Sequence, residues 1–106
     1  MNLPAERLLM IIRSLVAESA PQRALAADQL TDWVGSYTET DGHILAGILA
    51  ISAACEPDPT ALESQLNAII QLGGLADEDS TSYLKAIENS PLPGDLAEYI
   101  HDILHE

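Results

Sequence analysis

Apolar residues along this chain recur at spacings of three and four, and that period predicts helices throughout. Leu8, Ile11, Ile12, Leu15 and Val16 mark a first helix from about Pro4 to Glu18. Pro21 opens a second, with Leu25, Leu30, Trp33 and Val34 as its apolar positions, and Gly35 to Asp41 reads as a polar turn. A third carries Ile44, Leu45, Ile48, Leu49 and Ile51 and is broken by Glu56-Pro57-Asp58-Pro59. Asp before Pro supplies a cap followed by a residue suited to the first turn, so a fourth helix starts there and uses Leu62, Leu66, Ile69 and Ile70. Gly73-Gly74 stops it. A fifth helix follows Asp77-Glu78-Asp79 with Tyr83, Leu84 and Ile87; after Ser90-Pro91-Leu92-Pro93-Gly94, a sixth presents Leu96, Tyr99, Ile100, Ile103 and Leu104. Alternating strand patterns are missing, so the expected fold class is all-α.

The prolines add a second level of order. Pro21, Pro59 and Pro93 each open the second helix of a pair, and their separations of 38 and 34 residues match the periods of helical-hairpin repeats. The stretch Asp58-Pro59-Thr60-Ala61-Leu62-Glu63-Ser64-Gln65-Leu66-Asn67-Ala68-Ile69-Ile70-Gln71-Leu72 resembles a HEAT-type repeat, although Leu62 stands where such repeats usually carry Arg. The resemblance implies about six helices in three antiparallel hairpins, stacked with a right-handed, HEAT-like sense as one domain over residues 1–106. Three hairpins are about the minimum for such a stack, and repeats of this kind meet partners on their successive second helices. Those span roughly residues 21–34, 59–72 and 93–105.

Charge changes the picture most. The 106 residues include 17 carboxylates and 4 Lys or Arg, for a net charge of -13. Arg7, Arg13 and Arg23 fall within the first 23 residues, and beyond them Lys85 alone faces all but two of the carboxylates. Such imbalance weakens a compact state by self-repulsion, so it points to a purpose, and a basic partner is the one we favour. On the second helix Asp28 and Asp32 lie four apart with no cation to offset them, Trp33 and Tyr37 follow at the same spacing, and Glu39 and Asp41 come next. The last helix repeats the theme with Glu98, Tyr99 and Asp102, preceded by Asp95, which is left outside the candidate set, and Glu63 joins from the fourth. Carboxylates among aromatic rings suit an Arg-rich surface, because guanidinium pairs with the former and stacks on the latter. These ten residues are the candidate partner-binding set. The alternative for each is a solvated polar face with its aromatics turned inward.

Other chemistry is thinner. His101 and His105 stand at the spacing of helical zinc ligands, but Asp102 replaces the Glu that a zincin needs and no third ligand follows in sequence, so no metal is assigned. Asp77, Asp79, Thr81 and Glu88 fit positions 1, 3, 5 and 12 of a calcium loop, yet Ser82 occupies the glycine position, and Tyr83 to Ile87 reads as continuous helix. First-turn carboxylates at a helix N-terminus explain the acidic triplet better. The single Cys55 lies beside Glu56, a setting that opposes a thiolate nucleophile. His43 reads as a polar first-turn residue. No phosphate-binding loop is present, and direct nucleic-acid binding needs the opposite charge. The expectation is a protein that is not an enzyme and uses no cofactor. A lone cysteine, no leader-like start and no apolar run of about 20 residues make it cytoplasmic with no membrane role.

In size, acidity and hairpin rhythm the chain resembles the small helical immunity proteins of bacterial toxin systems. That resemblance implies a protein that binds and neutralises one cognate basic toxin domain, often a nuclease, in the cell that makes it. Three alternatives remain: a DNA mimic whose carboxylates imitate phosphates, an adaptor subunit of a larger complex and, ranked last, a metal-dependent enzyme that bound zinc would reveal. The adaptor would show an exposed apolar patch.

Overall fold

A computed structural model describes residues 4–33, 35, 37–72, 78–88, 92 and 94–105, with the side chains of Glu78 and Asp79 outside the description. Six helices follow one another: α1 Ala5–Leu15, α2 Ala20–Asp32, α3 Glu39–Ala54, α4 Pro59–Gln71, α5 Glu78–Glu88 and α6 Gly94–His105. No strand occurs among the described residues. Local chemistry sets several starts. Ser19 accepts from the Gln22 N–H to open α2, with Pro21 in its first turn, and Asp58 accepts from Ala61 N–H at 2.9 Å to open α4 at Pro59. Val34, Gly73-Gly74, Asp77 and Pro93, which carried sequence expectations, lie outside the described residues.

The helices pack as three hairpins in two layers. Within pairs, α1 lies on α2, α3 on α4 and α5 on α6; between pairs, α3 lies on α5, α2 on α4, and α4 on α6. The second helices therefore form one continuous row, with α4 at its centre. The most extensive packing in the molecule is α2 against α4. Leu15, Leu30, Leu45, Leu49, Leu66, Ile69, Leu84 and Ile100 are fully buried and join Ala26, Ala27, Ala50, Ala53 and Ala68 in one cluster. Small residues at the crossings let backbones approach. A Cβ on Gly47 of α3 would come within 3.2 Å of the Ser80 hydroxyl on α5, so a larger residue there needs that side chain to give by a few tenths of an ångström.

Three expectations are corrected. Helix α1 ends at Leu15 rather than Glu18, because the carbonyls of Ala17 and Glu18 turn to the Arg23 guanidinium, at 2.9 and 2.8 Å, instead of extending the helix. Helix α3 starts at Glu39, inside the expected turn: Thr38 caps it by accepting from Asp41 N–H at 3.1 Å. Leu25, Ile44 and Ile51, read as core positions, are 58%, 56% and 48% exposed. Alanines took their places: Ala26 and Ala27 carry the buried side of α2, and Ala46, Ala50 and Ala53 much of that of α3.

One polar network crosses this apolar interior. Arg23 of α2 meets Glu56 of the α3–α4 connection in a two-pronged pair, Nε to Oε1 and Nη2 to Oε2, each 2.7 Å. Glu56 also accepts from Gln65 Nε2 at 2.8 Å and from the Asp58 backbone N–H at 3.1 Å. Its side chain is 1% exposed and that of Arg23 15%. Burial pushes the Glu56 carboxyl up, but the hydrogen bonds from Arg23, Asp58 and Gln65 outweigh it and hold the group below its ordinary 4.5. The bond to Glu56 likewise raises Arg23. Glu56→Gln takes from the part-buried Arg23 guanidinium its counter-charge, so we expect a thermal midpoint lower by several degrees. A carboxyl with a depressed folded value contributes its full stability above 4.5 and loses it as pH falls through the folded value. The gap between wild type and Glu56→Gln should therefore be constant near neutrality and close in acid; a pH-independent gap in thermal melts would contradict the pairing.

Candidate partner-binding face

The row of second helices presents carboxylates and almost nothing to neutralise them. Helices α2, α4 and α6 hold a single Lys or Arg, and it is Arg23, already committed to Glu56. One cleft on this face is lined by Glu63 of α4 with Asp95, Glu98, Tyr99 and Asp102 of α6. A second is lined by Asp28 of α2, Thr60, Glu63, Ser64 and Asn67 of α4, and Tyr99. Glu63 and Tyr99 line both clefts, so the two adjoin and together cross all three second helices. Helical geometry explains the α6 set: Asp95, Glu98, Tyr99 and Asp102 sit at i, i+3, i+4 and i+7, which is one stripe. Tyr99 is half-buried and packs on the core. Its ring is thus held in place at the meeting point of the carboxylates, and little side-chain entropy remains to be lost when something stacks on it.

Five of the ten sequence-nominated residues, Asp28, Glu63, Glu98, Tyr99 and Asp102, come together here. Asp32 is exposed one turn beyond Asp28 but lines neither cleft. Sequence reasoning passed over Thr60, Ser64 and Asn67 as site residues; their signal was the spacing of three and four that links Thr60 to Glu63 and Ser64, and both of those to Asn67, along α4. It also assigned Leu25 to the core, whereas this residue stands exposed one turn from Asp28 on the same helix.

The other nominated residues belong elsewhere. Trp33, 40% exposed, lines a separate cleft between α1 and α2 with Arg7, Met10, Ile11, Ser14 and Gln29. The Arg7 guanidinium carbon lies 5.5 Å from its ring centroid, a cation–π contact made within the chain. Tyr37 is half-buried against the core, and its hydroxyl is buried without a hydrogen-bond partner among the described residues. That burial pushes the phenol upward, which keeps it neutral. Glu39 and Asp41 occupy the first turn of α3, where carboxylates meet the positive end of the helix dipole, and that role accounts for them locally. The tandem Trp33 and Tyr37 therefore do not act as one exposed aromatic pair.

Beside this face, across Glu98 and Asp102, the structure supplies what the histidine pair lacked in sequence. Glu88, the last residue of α5, places its Oε2 3.0 Å from His105 Nε2, and His101 stands one turn before His105 on α6. The calcium-loop reading of the same region fails on geometry, because Glu78–Glu88 is a continuous helix. No helix among the described residues is long and apolar enough to cross a membrane. Comparison with protein-family models, with curated protein sequences and with solved structures finds no match for the chain.

Because its hydroxyl is buried without a partner among the described residues, Tyr37→Phe should leave the thermal midpoint unchanged or raise it by a few degrees. A fall of more than about 5 °C, equivalent to roughly 1 kcal/mol, would show that the hydroxyl makes a bond that the geometry does not contain.

Proposed function

We propose that this chain is a binding protein without catalysis of its own, and that its second-helix face docks a basic, Arg-rich protein surface. One observation carries the reading: two adjoining clefts bring carboxylates from three helices around a fixed Tyr99, with no free cation on those helices. In solvent such carboxylates only repel one another; against guanidinium groups they make paired, charge-assisted bonds, and the tyrosine ring offers a stacking surface. Opposite charge speeds encounter and makes it salt-sensitive, while stacking on the half-buried Tyr99 ring governs how long the complex lasts. The resemblance to immunity proteins makes the occupant a cognate toxin domain, neutralised in the cytoplasm of the producing cell.

Affinity capture from the source organism's lysate tests this, with wild type beside a variant carrying Asp28→Asn, Glu63→Gln and Glu98→Gln. We expect wild type to retain one dominant basic protein in one-to-one ratio at low salt, and the variant to retain at least tenfold less. Equal capture by both would remove the docking face. Several DNA-binding proteins, displaced by added DNA, would replace the toxin reading with mimicry of DNA.

A second reading has its own observation. On α3 the exposed Ile44 and Ile51 stand seven apart, on the side opposite the buried Leu45, Leu49 and Ala53, and leave an apolar stripe on the first-helix layer. An adaptor or self-associating subunit requires such a surface. Sedimentation from low to high micromolar concentration decides: a constant monomer mass rejects self-association, and a rising mass abolished by Ile44→Gln with Ile51→Gln supports it.

A further inference from the structure

The clustering of Glu88, His101 and His105 goes beyond the docking face and does not depend on it. Sequence offers only the two imidazoles of α6; the α5–α6 hairpin brings the third group. One ligand atom from each of the three residues lies within 4.8 Å of the others. His105 Nε2 already contacts Glu88 Oε2 at 3.0 Å, and the two imidazole rings stand 4.6 Å apart between centroids, tilted by 39°. In a tetrahedral zinc site, with metal–nitrogen distances of about 2.0–2.1 Å, ligand atoms are roughly 3.3 Å from one another. Rotations about the side-chain bonds of His101 and His105, both exposed, are enough to close the remaining gap.

We propose that Glu88, His101 and His105 form a site for one divalent transition-metal ion of the zinc class, clamping the end of α5 to the end of α6. Donor chemistry selects the class. Two imidazole nitrogens and one carboxylate oxygen suit Zn²⁺, Ni²⁺ or Cu²⁺, whereas Mg²⁺ and Ca²⁺ take mostly oxygen ligands. Three protein ligands leave a fourth position for water, which is the composition of open zinc sites. Glu98 and Asp102 line the same cleft as Glu88 and His101, and their charge favours a cation there. Metal binding would also replace the lone contact between Glu88 and His105 by bonds from both helices, so the last hairpin should gain most.

The test is calorimetric titration of the untagged, chelator-treated full chain with zinc chloride, alongside thermal melts with and without the metal. Wild type should bind one equivalent, and its midpoint should rise by several degrees in about tenfold excess zinc, as expected when a ligand binds only the folded state. His101→Ala and Glu88→Gln should each weaken zinc binding at least tenfold. Because these side chains are exposed or half-exposed, the metal-free melts of both variants should stay within a few degrees of wild type, which separates lost ligation from lost folding. Magnesium chloride at the same concentration should not reproduce the zinc shift. The proposal is overturned by absence of one-site zinc binding, by equal affinity in wild type and both variants, or by an equal shift with magnesium, which would mean charge screening alone.

Discussion

The pairing of Arg23 with Glu56 is the constraint on which the arrangement of this molecule depends. It is made where four pieces of chain converge: the α1–α2 connection through the Ala17 and Glu18 carbonyls, α2 through Arg23, the α3–α4 connection through Glu56 and Asp58, and α4 through Gln65. Apolar packing between Leu- and Ala-faced helices tolerates sliding, since one methyl resembles the next. A two-pronged ion pair does not tolerate it, because a small displacement leaves a charge buried and unpaired. The network thus fixes the first hairpin against the second and sets how α2 lies beside α4. That relation places Asp28 next to Glu63. An interaction buried on one side of the helices therefore determines the spacing of the carboxylates displayed on the other.

Its cost is visible in the charge distribution. Of four Lys and Arg residues, Arg23 is spent internally and Arg7 rests on Trp33, so the second-helix row keeps its negative charge without relief. The two layers differ in kind: acidic clefts around Tyr99 on one, exposed Ile44 and Ile51 on the other. Self-repulsion along the acidic row works against folding, and the buried network together with the Leu and Ile core has to exceed it.

Helix number, order and pairing were legible in the sequence because proline, capping residues and the apolar period agree with one another. The signature Thr38-Glu39-Thr40-Asp41 was also there to be read as a capping box, and α3 begins where it places the start. Core membership was less legible. Counting only large apolar residues put Leu25, Ile44 and Ile51 inside and ignored Ala26, Ala27 and Ala50, although close helix crossings select small side chains. Half of the acidic face was readable, since Glu98, Tyr99 and Asp102 share one stripe of one helix. The rest depends on tertiary placement. Nothing local shows that Tyr37 turns toward the core, that Trp33 takes Arg7, or that Glu88 reaches His105, because each pairing crosses a connection whose path only the packed structure defines. The Arg23–Glu56 pair, 33 residues apart, is the extreme case.

The central claim is that the acidic second-helix face, and not the apolar first-helix face, is where a partner docks. The most direct measurement is the association rate with the captured partner across a salt series, compared for wild type, a second-helix variant (Glu63→Gln with Asp102→Asn) and a first-helix variant (Ile44→Gln with Ile51→Gln). The account predicts that neutralising the second-helix face slows association about tenfold at low salt, that the difference vanishes near 0.5 M salt, and that the first-helix variant matches wild type. Rates insensitive to salt and to the carboxylates, but reduced by Ile44→Gln with Ile51→Gln, would contradict it.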